Sequence, residues 1–188
     1  MIGILGEDET DCRAVATLVR RLAEAPGWKR MPVKYKYPPT GGCAALRRKA
    51  AAYIRDLGRD GCRAAILVHD LDREGEATLR EKLDAIVCPP GITRHICIPI
   101  EELEAWFWSD QHVLDAVADG LGKAALNPHL IRSPKEELIR LSRKAHGKAS
   151  YSTNENESLA AKLDLALCAQ RCPSFNDLQV FVRSLVMD

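Results

Sequence analysis

The first half of the chain alternates short apolar runs with longer stretches whose apolar residues recur at helical spacing. Apolar runs of about four to eight residues bounded by Gly, Pro and polar residues are typical of buried strands. Apolar residues three and four apart are typical of amphipathic helices. Strands are therefore predicted at 2–6, 33–37, 64–69 and 95–100, and helices from Thr10 to Pro26, at 44–57 and at 74–86.

This alternating order predicts an α/β fold, because parallel strands need a crossover that a helix usually supplies. We expect a Rossmann-like, mostly parallel sheet of about four strands flanked by helices. From residue 101 onward the pattern is helical, so we expect an α/β domain at 1–100 and a helical extension at 101–188 that packs on it. Helices are predicted there at about 101–108, 111–119, 134–145, 157–170 and 174–186.

Composition places the chain among ordinary globular proteins, since 46% of its 188 residues are hydrophobic and 28% are charged. It has no apolar run of the ~20 residues that a membrane helix needs, and no basic segment before its first apolar residues. Its seven cysteines include no CxxC pair, so we expect free thiols in a reducing cytoplasm and no zinc site.

A string of acids follows the third predicted strand. Asp70, Asp72 and Glu74 are spaced two apart, so that in an extended chain their side chains point the same way. Ligands of α/β proteins collect at the carboxyl ends of the strands, where these acids lie. Oxygen ligands in this arrangement suit Mg²⁺ or Mn²⁺. The alternative is a capped turn whose acids offset the N-terminus of the next helix.

Charge is unevenly distributed, although the formal net charge is only +1. Residues 7–11 hold four acids and no basic residue, whereas residues 123–148 hold seven Lys or Arg against two acids. A metal site beside a polyanion would use both kinds of segment. The alternative for the basic segment is a solvated helix face.

With Glu7 after the first strand and Asp70-x-Asp72 after a later one, the chain resembles the toprim superfamily. That superfamily includes topoisomerases, bacterial primases and OLD-family nucleases, and its two motifs are a glutamate and D-x-D at these places. The string 70–76 is most similar to the version in type IA topoisomerases, where the third acid also belongs to the metal site. The segment 6–11 is similar to the toprim pattern Glu-Gly-x-Thr-Asp/Glu, with Asp8 where glycine is usual.

The resemblance implies a role for each matching acid. Asp70 and Asp72 would bind the metal directly, and Glu74 would be an additional ligand. Glu7 would either bind metal or donate a proton to the leaving oxygen, and both roles stay open. The catalytic residues expected from the resemblance are therefore Glu7, Asp70, Asp72 and Glu74, with Mg²⁺ or Mn²⁺ as cofactor.

The second half resembles a group of small bacterial toprim-like proteins associated with genome defence, on the segments 98–108, 133–135 and 172–175. In OLD-type nucleases further acids build a second metal site. Glu101 and Glu104 are three apart, so one helix face could present both. The alternative is an acidic helix start followed by three aromatic residues that pack in the core, Trp106, Phe107 and Trp108.

Two basic residues are candidates for nucleic-acid binding. Lys135 follows the helix start Ser133-Pro134 and would reach a phosphate. The alternative for Lys135 is a solvent-facing side chain. Arg73 would contact phosphate or pair with the acids around it.

These features favour a metal-dependent nuclease that acts on DNA or RNA. A topoisomerase would need a tyrosine-bearing domain, and a primase would need zinc and template-binding modules, which this sequence does not show. The chain has no GxxxxGK[ST] motif, so any ATP hydrolysis would come from a partner ATPase. The alternative function is a non-catalytic subunit that senses nucleic acid or a nucleotide and docks on such an ATPase.

Overall fold

The computed structural model describes residues 1–24, 31–71, 75–118, 120–143 and 149–187. It confirms the predicted fold class, an α/β fold with a parallel sheet flanked by helices and a helical C-terminal part. All four strands pair in parallel, in the order β2-β1-β3-β4. The strands are β1 (Ile2–Leu5), β2 (Val33–Lys36), β3 (Ala64–Val68) and β4 (Thr93–Cys97).

Eight α-helices and three 3₁₀ helices lie in the described part of the chain. The α-helices are α1 (Glu9–Glu24), α2 (Cys43–Arg59), α3 (Glu76–Asp84), α4 (Gln111–Ala118), α5 (Pro134–Leu141), α6 (Asn156–Lys162), α7 (Leu165–Arg171) and α8 (Pro173–Met187). The 3₁₀ helices are Leu103–Ser109, Pro128–Leu130 and Thr153–Glu155. In this region no helix has the length and apolarity required to cross a membrane.

The two central strands are buried along their whole length because helices cover both faces of the sheet. Side chains alternate between those faces. Ile2 and Ile4 of β1 pack in the same core as α1 and the C-terminal helices, whereas Leu5 packs with α2 and α3. A Cβ at Gly3 would lie 2.6 Å from Leu57 of α2, so glycine permits the close approach of α2 to β1.

The helix α1 begins at Glu9, one residue before the predicted start at Thr10, and Asp8 caps it. The Asp8 carboxylate accepts the backbone N–H of Asp11 at 3.1 Å and the hydroxyl of Thr10 at 2.7 Å. Asp8 therefore supplies the oxygen that satisfies a free N–H of the first turn. This places Asp11 inside the helix, on its first turn, one residue before the buried Cys12.

The C-terminal helices are attached to α1. Arg13 pairs with Glu157 of α6, and the Arg21 guanidinium donates to the carbonyls of Ala160 and Leu163, both at 2.7 Å. The predicted helix 157–170 is two helices, because the chain turns between α6 and α7. The Asp164 carboxylate caps α7 by accepting the N–H of Leu167 at 2.9 Å.

The strand order reverses at β1, and in open α/β sheets such a reversal leaves a crevice outside the carboxyl ends of the strands. From β1, the chain passes to β2 on one side, and β3 lies on the other side of β1. Ligands of open α/β sheets bind outside the carboxyl ends of the strands at such a reversal. The residues that follow β1 and β3 therefore flank the place where this fold most readily forms a site.

Candidate metal centre

Glu7 and Asp70 meet at the carboxyl ends of β1 and β3. The backbone N–H of Asp70 donates to Oε1 of Glu7 at 3.2 Å, although the two residues are 63 positions apart. Their strands are direct neighbours, paired from Ile2 with Ala64 to Leu5 with Leu67. The fold thus brings together the two acids at which the two sequence motifs begin.

Glu7 also contacts a thiol and an imidazole. The Cys43 thiol donates to Oε1 of Glu7 at 2.7 Å, and Nδ1 of His69 lies 3.8 Å from the same oxygen. One ligand atom from each of these three residues lies within 4.8 Å of the others. Among the described residues, Glu7, Cys43 and His69 are the group of His, Cys and acidic side chains that could hold a metal ion.

His69 is held by hydrogen bonds at both of its nitrogens. Nδ1 lies 2.8 Å from the carbonyl oxygen of Asp70, and Nη1 of Arg47 lies 3.0 Å from Nε2. Because a guanidinium only donates, Nε2 accepts and Nδ1 carries the proton in this network. With 2% of its surface exposed, His69 is fixed beside Glu7 as part of the wall of the crevice.

The Asp70 carboxylate connects the sheet to the helical half. Its Oδ1 accepts the N–H of Leu103 at 3.1 Å, at the first residue of the 3₁₀ helix Leu103–Ser109. Burial raises the pKa of Asp70 well above its ordinary value, and the nearby carboxylates of Asp11, Glu7 and Glu104 raise it further. Asp70 thus lies in an environment that disfavours its negative charge unless a cation is present.

Asp11 belongs to the same acidic group. Its pKa is raised to about 8, mainly by burial and further by repulsion from Asp8, Glu104 and Glu7, while Lys135 opposes the shift. Its position on the first turn of α1 places it opposite Asp70. Sequence reasoning missed Asp11 as a site residue, although it lies in the acidic segment 7–11.

Glu104 is a buried carboxylate with neutral partners. It is 3% exposed, and its Oε1 accepts Nδ2 of Asn156 at 3.0 Å and the Tyr151 hydroxyl at 3.4 Å. The Tyr151 hydroxyl also donates to Oδ1 of Asn156 at 2.7 Å. Burial raises the pKa of Glu104, and the hydrogen bond from Asn156 opposes that shift.

Glu101 and Glu104 do not share a helix face, so that part of the prediction is wrong. The helix is 3₁₀ and begins at Leu103, whereas Glu101 precedes it with a φ of 63°. Glu104 acts on the pKa values of both Asp11 and Asp70, which places it beside the crevice. Trp106, Phe107 and Trp108 are buried in the core, as the alternative interpretation of this segment predicted.

Lys135 pairs with Glu102. Its ammonium lies 3.2 Å from Oε1 of Glu102, and its backbone N–H donates to Oε2 of Glu102 at 3.0 Å. Burial lowers the pKa of Lys135, but Glu102 and Glu104 outweigh that effect and raise it to about 12. Lys135 is therefore a cation at the rim of the acidic group, and its contact with phosphate stays a prediction.

Three of the predicted site residues, Asp72, Arg73 and Glu74, lie outside the described residues. Cys43 and Glu102 are contacts of the site that sequence reasoning did not assign to it, and for His69 the sequence left open lining the site or packing in the core. Cys43 carries no local signal, because it meets Glu7 only through the packing of α2 beside β1. His69 did have a signal, since it directly precedes Asp70.

Comparisons of the chain with models of protein families, with curated proteins and with solved structures found no match.

Proposed function

We propose that this protein hydrolyses phosphodiester bonds of DNA or RNA with the help of Mg²⁺ or Mn²⁺. The catalytic acids of this proposal are Glu7, Asp70, Asp72 and Glu74, as in the toprim superfamily that the chain resembles. In the same proposal, the protein is the nuclease of a bacterial genome-defence system and works with a partner ATPase in the cytoplasm.

The observation that carries this proposal is the meeting of Glu7 and Asp70 at the crevice, joined by the 3.2 Å hydrogen bond. Carboxylates gathered with raised pKa values are typical of functional sites, because structural acids are usually paired with cations. Asp11 and Asp70 both have raised pKa values, and repulsion from other carboxylates is part of the cause for each. A bound divalent cation would relieve this repulsion.

The donor chemistry of these acids suits a hard cation, although among the described residues it is Cys43 and His69, not Asp70 and Asp11, whose ligand atoms lie within 4.8 Å of Glu7 and of one another. Glu7, Asp70 and Asp11 offer carboxylate oxygens, which are the ligands that Mg²⁺ and Mn²⁺ take in proteins. A divalent cation bound there stabilises charge on the reacting oxygens and lowers the pKa of water. Glu7 and Asp70 would hold it, and a protonated acid of the group would donate to the leaving oxygen. Lys135 at the rim would attract the phosphate backbone.

A specific observation favours the alternative function, a non-catalytic subunit that senses nucleic acid or a nucleotide and docks on a partner ATPase. Three leucines of the segment 120–131 are largely exposed, with 74% exposure for Leu121, 73% for Leu126 and 74% for Leu130. A contiguous exposed apolar surface is typical of sites that bind another protein, and these leucines would contribute to such a surface. A catalytic subunit could use the same surface, so only activity separates the two functions.

A cleavage assay tests the proposal. The full chain is stripped of metal, supplied with Mg²⁺ or Mn²⁺, and incubated with single- and double-stranded DNA and RNA. We expect Asp70→Asn and Glu7→Gln each to lower the rate at least about 100-fold, because each removes a charged ligand of the metal. Glu81→Gln is the matched control, since Glu81 is an exposed acid of α3.

Equal rates for all four proteins would refute the acidic site as the catalyst. Absence of cleavage on every substrate, also after addition of an ATPase encoded beside this protein, would favour the docking subunit instead. Loss of cleavage in both site variants with retention in Glu81→Gln would support metal-dependent hydrolysis.

A further inference from the structure

We propose that Glu7, Cys43 and His69 form a binding site for Zn²⁺ that competes with the catalytic cation for the Glu7 carboxylate. This inference rests on the proposed function only for its consequence, inhibition of cleavage. The binding site itself follows from the contacts of the three side chains.

The ligand atoms already lie close to the spacing that one zinc ion requires. Zinc in proteins is tetrahedral, with bonds of about 2.0–2.1 Å to nitrogen or oxygen and about 2.3 Å to sulfur, so its ligands lie roughly 3.3–3.8 Å apart. Here Cys43 Sγ is 2.7 Å and His69 Nδ1 is 3.8 Å from Oε1 of Glu7, and all three atoms lie within 4.8 Å of one another. Displacements of about an ångström would complete the site.

The chemistry of the donors distinguishes this group from the carboxylates around it. Mg²⁺ takes oxygen ligands, whereas a thiolate and an imidazole select Zn²⁺ and similar transition metals. Three protein ligands with a fourth position for water is the usual donor number of an open zinc site. The group therefore binds a different class of cation from the one that Asp70 and Asp11 suit.

Zinc binding removes one proton, from Cys43, and moves another, on the ring of His69. The Cys43 thiol, which now donates to Glu7, loses its proton to solvent and becomes a thiolate ligand. His69 coordinates through Nδ1, which releases its hydrogen bond to the Asp70 carbonyl, and the ring proton moves to Nε2. Arg47 must then turn away from Nε2, because two donors cannot face each other. With the thiolate and Glu7 carboxylate, the zinc site is neutral.

Glu7 would be a ligand of both the zinc site and the Mg²⁺ or Mn²⁺ site, so the two cations would compete for it. When Glu7 is a zinc ligand, its carboxylate is drawn toward Cys43 and His69 and away from Asp70. Zinc then occupies the ligand that the Mg²⁺ or Mn²⁺ centre needs. We expect Zn²⁺ to inhibit cleavage, and the inhibition to depend on the Cys43 thiol.

Metal titration tests the site without reference to activity. The full chain, freed of metal by a chelator, is titrated with Zn²⁺ in a calorimeter and with Co²⁺ in a spectrophotometer. We expect a thiolate-to-cobalt charge-transfer band, its loss in Cys43→Ser, and at least about 10-fold weaker Zn²⁺ binding by that variant. Cys88→Ser is the control, because the Cys88 thiol is also half-buried but donates to the carbonyl of Ile92.

The proposal is overturned if wild type shows no charge-transfer band, or if Cys43→Ser binds Zn²⁺ as tightly as Cys88→Ser. Circular dichroism shows whether Cys43→Ser is folded, and Glu7→Gln is a second variant expected to weaken Zn²⁺ binding. Cleavage is then measured at fixed Mg²⁺ with increasing Zn²⁺, each variant relative to its own rate without zinc. A failure of cleavage in Mg²⁺ alone speaks against the nuclease and leaves the titration result intact.

Discussion

Two pairs of carboxylates lie near one another beside the sheet, and they have different kinds of partners. Glu7 and Asp70 come from strand ends and accept hydrogen bonds from a thiol and from backbone N–H groups. Glu102 and Glu104 come from the segment around the 3₁₀ helix, and side chains of other helices bind them. The side chains of other helices thus stabilise Glu102 and Glu104, whereas Asp70 lies among carboxylates that raise its pKa.

Glu104 has a structural role. Asn156, Tyr151 and Glu104 form a closed set of buried hydrogen bonds that ties the 3₁₀ helix to α6. At Asp70, neighbouring carboxylates add to the effect of burial in raising the pKa. The two residues should therefore respond in opposite directions when the carboxylate is removed.

The largest effect on stability is expected for Glu104→Ala. The substitution leaves Nδ2 of Asn156 without its acceptor in a buried position and opens a cavity, whereas the Tyr151 hydroxyl keeps Oδ1 of Asn156 as its acceptor. We expect a loss of about 3 kcal/mol in the free energy of unfolding, measured by urea denaturation. Glu104→Gln keeps an acceptor oxygen and should lose clearly less; an equal loss would contradict the structural role of the hydrogen bonds.

Asp70→Asn should stabilise the folded protein when metal is absent, whereas Glu104→Ala destabilises it. The amide keeps an oxygen for the N–H of Leu103 and turns an NH₂ group toward the neighbouring carboxylates. Burial and neighbouring carboxylates hold the pKa of Asp70 above its ordinary value, so we expect Asp70→Asn to raise the free energy of unfolding at pH 8 in a chelator. Thermal denaturation measures it, and a loss of stability would show that the carboxylate is paired in the folded protein.

Asp11 should make the stability of the folded protein depend on pH. Its pKa rises from 3.8 in the unfolded chain to about 8 in the fold, so the folded protein binds the proton more tightly. This contribution to stability is fully present below about pH 4 and is lost as the pH rises through about 8.

Melting temperatures measured from pH 5 to 9 in a chelator test this. Asp11→Asn should flatten the decrease, and saturating Mg²⁺ should reduce it in wild type because the cation replaces the proton. An unchanged slope in Asp11→Asn would assign the decrease to another group.

The smallest effect is expected at Asp8, an acid whose contacts are local. Asp8→Ala removes the cap of α1 and should lower the free energy of unfolding by about 1 kcal/mol. Asp8→Asn is its control, because asparagine caps helices equally well, and it should be nearly neutral. If both variants lost the same stability, the Asp8 charge and not the cap would be the cause.

Much of the fold could be predicted because its pattern is local. The buried runs of β1 and β3, the helical spacing in α1 and the parallel order follow from residues near one another in the chain. The 3₁₀ helix Leu103–Ser109 could not, because its first N–H is bound by Asp70, which lies 33 positions away in the chain. The division of 157–170 into α6 and α7 does have a local signal, since Asp164 caps α7 three residues before Leu167. Glu7 and Asp70 could be proposed as partners because adjacent parallel strands end at the same edge.

The sequence by itself determined which acids follow the strands. It thereby also predicted the edge of the sheet at which the site lies. Only the tertiary structure decided what surrounds those acids. Cys43 reaches Glu7 because α2 packs against β1, and Glu104 meets Asn156 because α6 packs beside the 3₁₀ helix. Such contacts join segments far apart in the chain, so no periodicity or spacing records them. The geometry of packing therefore decided which acids bind side chains of other helices and which lie among other carboxylates.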